Sequence, residues 1–168
     1  LIRPRDKGTL PRFPERSALR RLALLAALLA PMPAAAQDAF CAGLQRLVRG
    51  AASGFLEIPA GGHVLRGSLH EQRGMVRSDE GPARGAYIAL MMTGPSSGRP
   101  NPAATRFHAL QAEITRCLPD AQPSAPQRVD RGQRAIWTTP QARVVLRSDE
   151  GDGFASTAEV DVAVVSRW

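Results

Sequence analysis

Lysine is nearly missing from this chain of 168 residues: Lys7 stands alone against 21 arginines. Aromatic residues are also scarce, with one tyrosine, two tryptophans and five phenylalanines. No apolar run reaches the roughly 20 residues that a membrane-spanning helix needs. The longest, Leu22 to Ala30, has nine. The aromatic count is too low for the two girdles of an outer-membrane barrel, although Val160, Val162, Val164, Ser166 and Trp168 alternate toward an aromatic C-terminus as a terminal barrel strand would. Cysteine is limited to Cys41 and Cys117, with no C-x-x-C, which argues against a redox pair or a zinc knuckle.

The short apolar run fits the hydrophobic region of a secretory signal peptide. Arg16, Arg20 and Arg21 precede it, Pro31 and Pro33 break it, and Ala34-Ala35-Ala36 offers small residues for cleavage after Ala36. Residues 1–36 are therefore expected to be a leader and 37–168 a single exported domain of the bacterial periplasm, or a secreted one, with no membrane span after cleavage. Residues 1–18 have no apolar period and read as upstream sequence, with the start expected near Leu19. Cys41 lies five residues beyond the expected cut and follows Phe40, which does not suit a lipid attachment site.

The leader carries much of the positive charge. The 132 remaining residues hold 15 basic and 13 acidic side chains, a net of +2, so bulk charge gives no reason to expect nucleic acid as a partner. In an oxidising compartment the two cysteines are expected to pair.

Helical spacing of Phe40, Leu44, Leu47, Val48 and Ala51 predicts a helix from about 38 to 52, capped by Asp38. Asn101 and Pro102 read as the cap and first turn of a second helix, with Phe107, Leu110, Ile114, Cys117 and Leu118 as its stripe. Strands are expected at 55–58, 63–69, 73–78, 87–93, 128–130, 133–138, 142–147 and 157–166. The fold class that follows is α+β: an antiparallel sheet with two amphipathic helices on one face and one disulfide, Cys41–Cys117. The expected core is Phe40, Leu44, Leu47, Val48, Tyr87, Ile88, Leu90, Phe107, Leu110, Ile114, Trp137, Val144, Leu146, Val160, Val162 and Val164.

Arg77-Ser78-Asp79-Glu80-Gly81 recurs as Arg147-Ser148-Asp149-Glu150-Gly151. The repeat suggests a duplicated helix-plus-three-strand unit. In both copies the preceding strand reads Arg-x-apolar-x-Arg, so Arg73, Arg77, Arg143 and Arg147 are expected on one open face. Four guanidiniums there could hold a phosphate or carboxylate of an envelope component, or an acidic patch of a protein partner. The balancing Asp79, Glu80, Asp149 and Glu150 would make the same face a merely solvated one.

Other motifs are weaker. Gly94-Pro95-Ser96-Ser97-Gly98 matches the G-x-S-x-G of a nucleophile elbow. Only His108 follows it as a base, no acid lies between, and three prolines delay the helix. A small serine-type hydrolase using this loop is the rival reading. His70-Glu71 begins H-E-x-x-H, but Gly74 stands at the second histidine, and His63 and His108 lie elsewhere. The acidic turn 149–153 lacks the ligand spacing of a calcium loop. No catalytic residue, metal or cofactor is expected, and the leading expectation is a non-catalytic binding or interaction module.

Overall fold

A computed structural model describes residues 34–59, 61–77, 82–97, 101–151 and 156–168, the first four by backbone alone. Residues 1–33 of the expected leader, and Ser78, Asp79, Glu80, Gly81, Gly98, Asp152 and Gly153 of the motifs above, lie outside them.

Helix α1 spans Ala34–Gly50 and runs into a 3-10 turn at Ala51–Ser53. Its start at Ala34 places the expected cleavage position in its first turn. Helix α2 spans Pro102–Cys117. Asn101 caps it as its sequence suggests, accepting from the Ala103 N–H at 2.9 Å. The same side chain donates to the carbonyls of Ser96 and Glu150, so one residue ties the helix start to two loops.

The strands are β1 His70–Val76, β2 Arg84–Pro95, β3 Gln122–Pro123, β4 Gln127–Val129, β5 Gly132–Thr138, β6 Ala142–Asp149 and β7 Thr157–Ser166. They form one seven-stranded antiparallel sheet in the order β1-β2-β7-β6-β5-β3, with β4 also on β5. Helix α2 lies across β2, β5, β6 and β7, and α1 packs on α2 and β6.

Alternation decides which side chains the helices cover. Val144, Leu146, Val160, Val162 and Val164 are fully buried against Phe107, Leu110 and Ile114 of α2 and Leu44 and Leu47 of α1. Trp137 joins them and donates its indole N–H to Thr115 on α2 at 3.1 Å. The disulfide Cys41–Cys117 is closed, with a Cα separation of 4.9 Å, so the middle of α1 sits beside the end of α2. Gln45 of α1 reinforces the junction by donating to the Cys117 carbonyl.

Four expectations require correction. Asp38 is the fifth residue of α1 rather than its cap, because the helix begins at Ala34. Residues 55–58 are a turn rather than a strand. Gly54 and Phe55 both have positive φ, 64° and 65°, and Phe55 pays for that strained backbone by burying its whole ring beside Tyr87. Residues 63–69 are irregular chain, held against β1 by side-chain bonds described below and packed on α1 at Gly43. Ile88 and Leu90 are not in the helix-covered core. Tyr87 pairs with Val164 and Ala89 with Val162, which turns Ile88 and Leu90 to the opposite face; all the other expected core residues are buried.

The disulfide closes a separation of 76 residues. Replacing Cys41 and Cys117 together by serine is expected to lower unfolding free energy by about 4 kcal/mol on the chain-entropy account. Denaturant melts of the oxidised, reduced and doubly substituted chains would show it. Truncating Trp137 to alanine should cost about 3–5 kcal/mol by leaving a cavity under α2.

Candidate functional site

The sheet face away from the helices is built in transverse rows. Reading across β2, β7, β6 and β5, one row is Ala86, Val165, Arg143 and Thr138. The next is Ile88, Ala163, Val145 and Ile136, and the third is Leu90, Asp161, Arg147 and Arg134. Glu159 and Asp149 follow in a fourth. Arg84 lies on the same face, two residues before Ala86 on β2. An apolar row, half-buried, therefore runs between two rows that carry exposed arginines.

These arginines are not equivalent. Arg147 pairs with Asp161 at 3.0 Å across the β6–β7 ladder. Arg134 stands directly opposite Arg147 and donates to Gln127. Like charges in facing positions repel, and Asp161 offsets that. Burial pushes the Asp161 carboxyl above its ordinary range, against the pull of Arg147. Arg143 makes no ion pair with any described residue.

The structure does not bring the four expected arginines together. Arg73 pairs with Tyr87, whose side chain is on the helix-covered side, so Arg73 is on that side too. Its guanidinium donates to the carbonyls of Phe55 at 2.8 Å and Ile58 at 3.4 Å. Arg77, beyond the end of β1, is exposed. Arg143 and Arg147 are on the opposite face. The offset that aligns Arg73 with Arg143 thus equates positions on opposite faces, as a one-residue slip in a strand does. Residues 63–69 also supply no strand to match β5.

Glu71, rather than an arginine, is the most heavily bonded side chain on β1. Its carboxylate accepts from the backbone N–H groups of Val64 at 2.6 Å and Leu65 at 2.7 Å, and from the hydroxyls of Ser68 at 2.7 Å and Tyr87 at 2.5 Å. Burial raises its carboxyl pKa, but these four donors outweigh it and hold the group below its ordinary value. Burial and the bond to Glu71 push the Tyr87 hydroxyl the other way, upward. Together they fasten residues 62–69. Leu65 is fully buried, and Gly43 of α1 leaves room for the Val64 carbonyl, which a Cβ there would meet at 2.2 Å.

The remaining candidates are placed as follows. Ser96 Oγ lies 2.7 Å from Ser156 Oγ, and the Ser96 N–H donates to the Ser156 carbonyl, extending the β2–β7 ladder by one step. His108 is exposed on α2, its ring edge-on to Phe107. Asp149 pairs with Arg131 at 2.9 Å and accepts from the Gly151 N–H, a turn held by its own side chain. Among the described residues no group of three or more His, Cys, Asp or Glu side chains could hold a metal. A cleft of about 410 Å³ opens where both helices meet the β5–β6 turn, lined by Gln45, Val48, Leu118, Pro119, Pro140 and Gln141 among others.

Sequence reasoning missed Arg134 and the Glu71–Tyr87 pair. Arg134 was legible in principle, since alternation along β5 puts it with Ile136 and Thr138. Comparison with family models, curated proteins and solved structures gave no match to this chain.

Glu71 gives a pH prediction. A carboxyl whose folded pKa is depressed stabilises above its unfolded value, near 4.5, and that share is lost as pH falls through the folded value. Glu71→Gln should cost about 1–3 kcal/mol at pH 7 and should lose less stability than the unsubstituted chain on going to acid. Urea midpoints at pH 7 and below the carboxylate range would check both.

Proposed function

We propose that this chain is a non-catalytic binding module, exported to the periplasm, whose open sheet face binds an extended anionic chain of the cell envelope. The observation that carries the reading is the arrangement of Arg84, Arg134, Arg143 and Arg147 on one exposed face around the apolar row Ile88, Ala163, Val145 and Ile136. Arg143 and Arg147 are four residues apart on β6, roughly 13 Å at strand spacing. That is too far for one small anion to bridge and suits charges repeated along a linear ligand. Guanidinium groups bind phosphate and carboxylate through paired N–H donors. The apolar row would take up the uncharged segments between them.

Export is supported by two features. The closed disulfide fits an oxidising compartment. The sequence of residues 20–36 reads as a signal peptide. Among the described residues no helix is long and apolar enough to cross a membrane.

The test is retention on a linear polyphosphate matrix under a salt gradient. Replacing Arg134, Arg143 and Arg147 together by glutamine is expected to abolish most retention, and the salt dependence with it. Replacing Arg73 should leave retention unchanged, because it is on the helix-covered side. Equal retention of the triple variant and the unsubstituted chain overturns the reading. So does labelling of Ser96 by a fluorophosphonate that is lost in Ser96→Ala, which would favour a hydrolase.

A further inference from the structure

The two edges of the sheet are finished differently. On the β5 side the edge is divided between β3 and β4, two and three residues long, with Pro123 in one and Pro126 between them. Short strands and proline blunt an edge because they remove donors and break the run. On the other side β1 has seven residues, no proline, and only β2 as a partner among the described strands. Alternate residues of such a strand turn unpaired N–H and C=O groups outward.

Exposed apolar side chains gather at this edge. Four large ones are exposed among the described residues: Leu56 at 78%, Leu69 at 55%, Met75 at 68% and Trp168 at 75%. Three of them border β1. Leu69 immediately precedes it and continues its ladder by donating to the Leu90 carbonyl at 2.7 Å. Met75 is on β1. Leu56 follows Phe55, whose carbonyl accepts from Arg73 of β1.

The edge also matches itself. When two copies of 69–75 run antiparallel about a twofold axis at Gln72, Leu69 faces Met75, His70 faces Gly74, Glu71 faces Arg73 and Gln72 faces Gln72. Apolar meets apolar twice, opposite charges stand at facing positions twice, and amide meets amide once on the axis, and such facing pairs are the units that stabilise a ladder. An axis normal to the sheet keeps the helices of both copies on one side, so neither helix layer obstructs the approach.

We infer that two copies of this chain pair through β1 to form one continuous antiparallel sheet, with Gln72 on the twofold axis. The arginine-bearing face of each copy then continues into that of the other. The inference does not rest on what that face binds.

Gln72 gives the test, because it is exposed and its side chain makes no hydrogen bond with any described residue that substitution would break. Sedimentation velocity of the full chain across the micromolar range should show a monomer–dimer equilibrium. Gln72→Lys, which opposes two like charges on the axis, should weaken dimerisation at least tenfold while leaving the thermal melt of the monomer unchanged. Gln72→Cys should form a covalent dimer under mild oxidation, since the two native cysteines are already paired. Gln141→Cys, in the β5–β6 turn, should not. A chain that stays monomeric throughout, with Gln72→Cys uncrosslinked, overturns the inference. So does a dimer indifferent to Gln72→Lys, or a monomer whose β1 edge takes up an extended peptide instead.

Discussion

Strand β7 is the last of the described strands in chain order and lies at the middle of the sheet. The hairpin β1–β2 has nothing to join until Thr157–Ser166 arrives, because β2 pairs with β7 and β7 with β6. Every second residue from Ala158 to Ser166 is buried under the helices, and the three valines among them are fully so. Removing this strand would leave a lone two-stranded hairpin, which has little stability in water, and would strip one wall from the core of α2. Pairing across so long a stretch of sequence carries a loop-closure cost that local contacts do not.

The disulfide answers part of that cost. It joins the middle of α1 to the end of α2, so the chain between them, which contains β1 and β2, is already looped before the sheet is complete. Trp137 and Gln45 fix the same junction from two sides, one through Thr115 and one through the Cys117 carbonyl. The helices therefore act as a single layer over β5, β6 and β7. The region outside that layer, residues 55–69, needs its own fastening, and Glu71 with Tyr87 provides it.

What the sequence disclosed follows from this division. The helices, β5, β6, β7 and the disulfide were legible because each is declared by its own periodicity or by an even cysteine count. Thr157–Ser166 reads directly as alternating apolar and polar residues, and Asn101-Pro102 announces a helix start by local chemistry alone. Residues 55–69 were not legible. Their path depends on a positive φ at Phe55 and on bonds to a carboxylate on the next strand, and neither leaves a periodic trace. The face of β1 was equally hidden. Arg73-x-Met75-x-Arg77 and Arg143-x-Val145-x-Arg147 have the same pattern, but alternation says only that residues share a face, not which one. The choice is made by pairing: Arg73 opposite Tyr87, Arg143 opposite Val165.

That choice alters what the arginines can do. Two on β1 and two on β6, gathered on one face, would resemble a clamp for a single anion. With Arg73 committed to the carbonyls of Phe55 and Ile58, the open face keeps arginines that are spread along β6 and across to β5 and β2. Arg134, Arg143 and Arg147 are exposed on this face, so no one of these guanidiniums is desolvated enough to bind tightly alone. Binding strength on such a face has to come from number and spacing. Arg147 is already held by Asp161, and Arg134 faces it at like charge, so an anion arriving at Arg134 would relieve an existing repulsion. Arg143 has no acid to give up among the described residues. A ligand with regularly spaced charges could meet Arg143 first and then reach across the apolar row to Arg134, gaining from each contact without displacing the ion pair beside it.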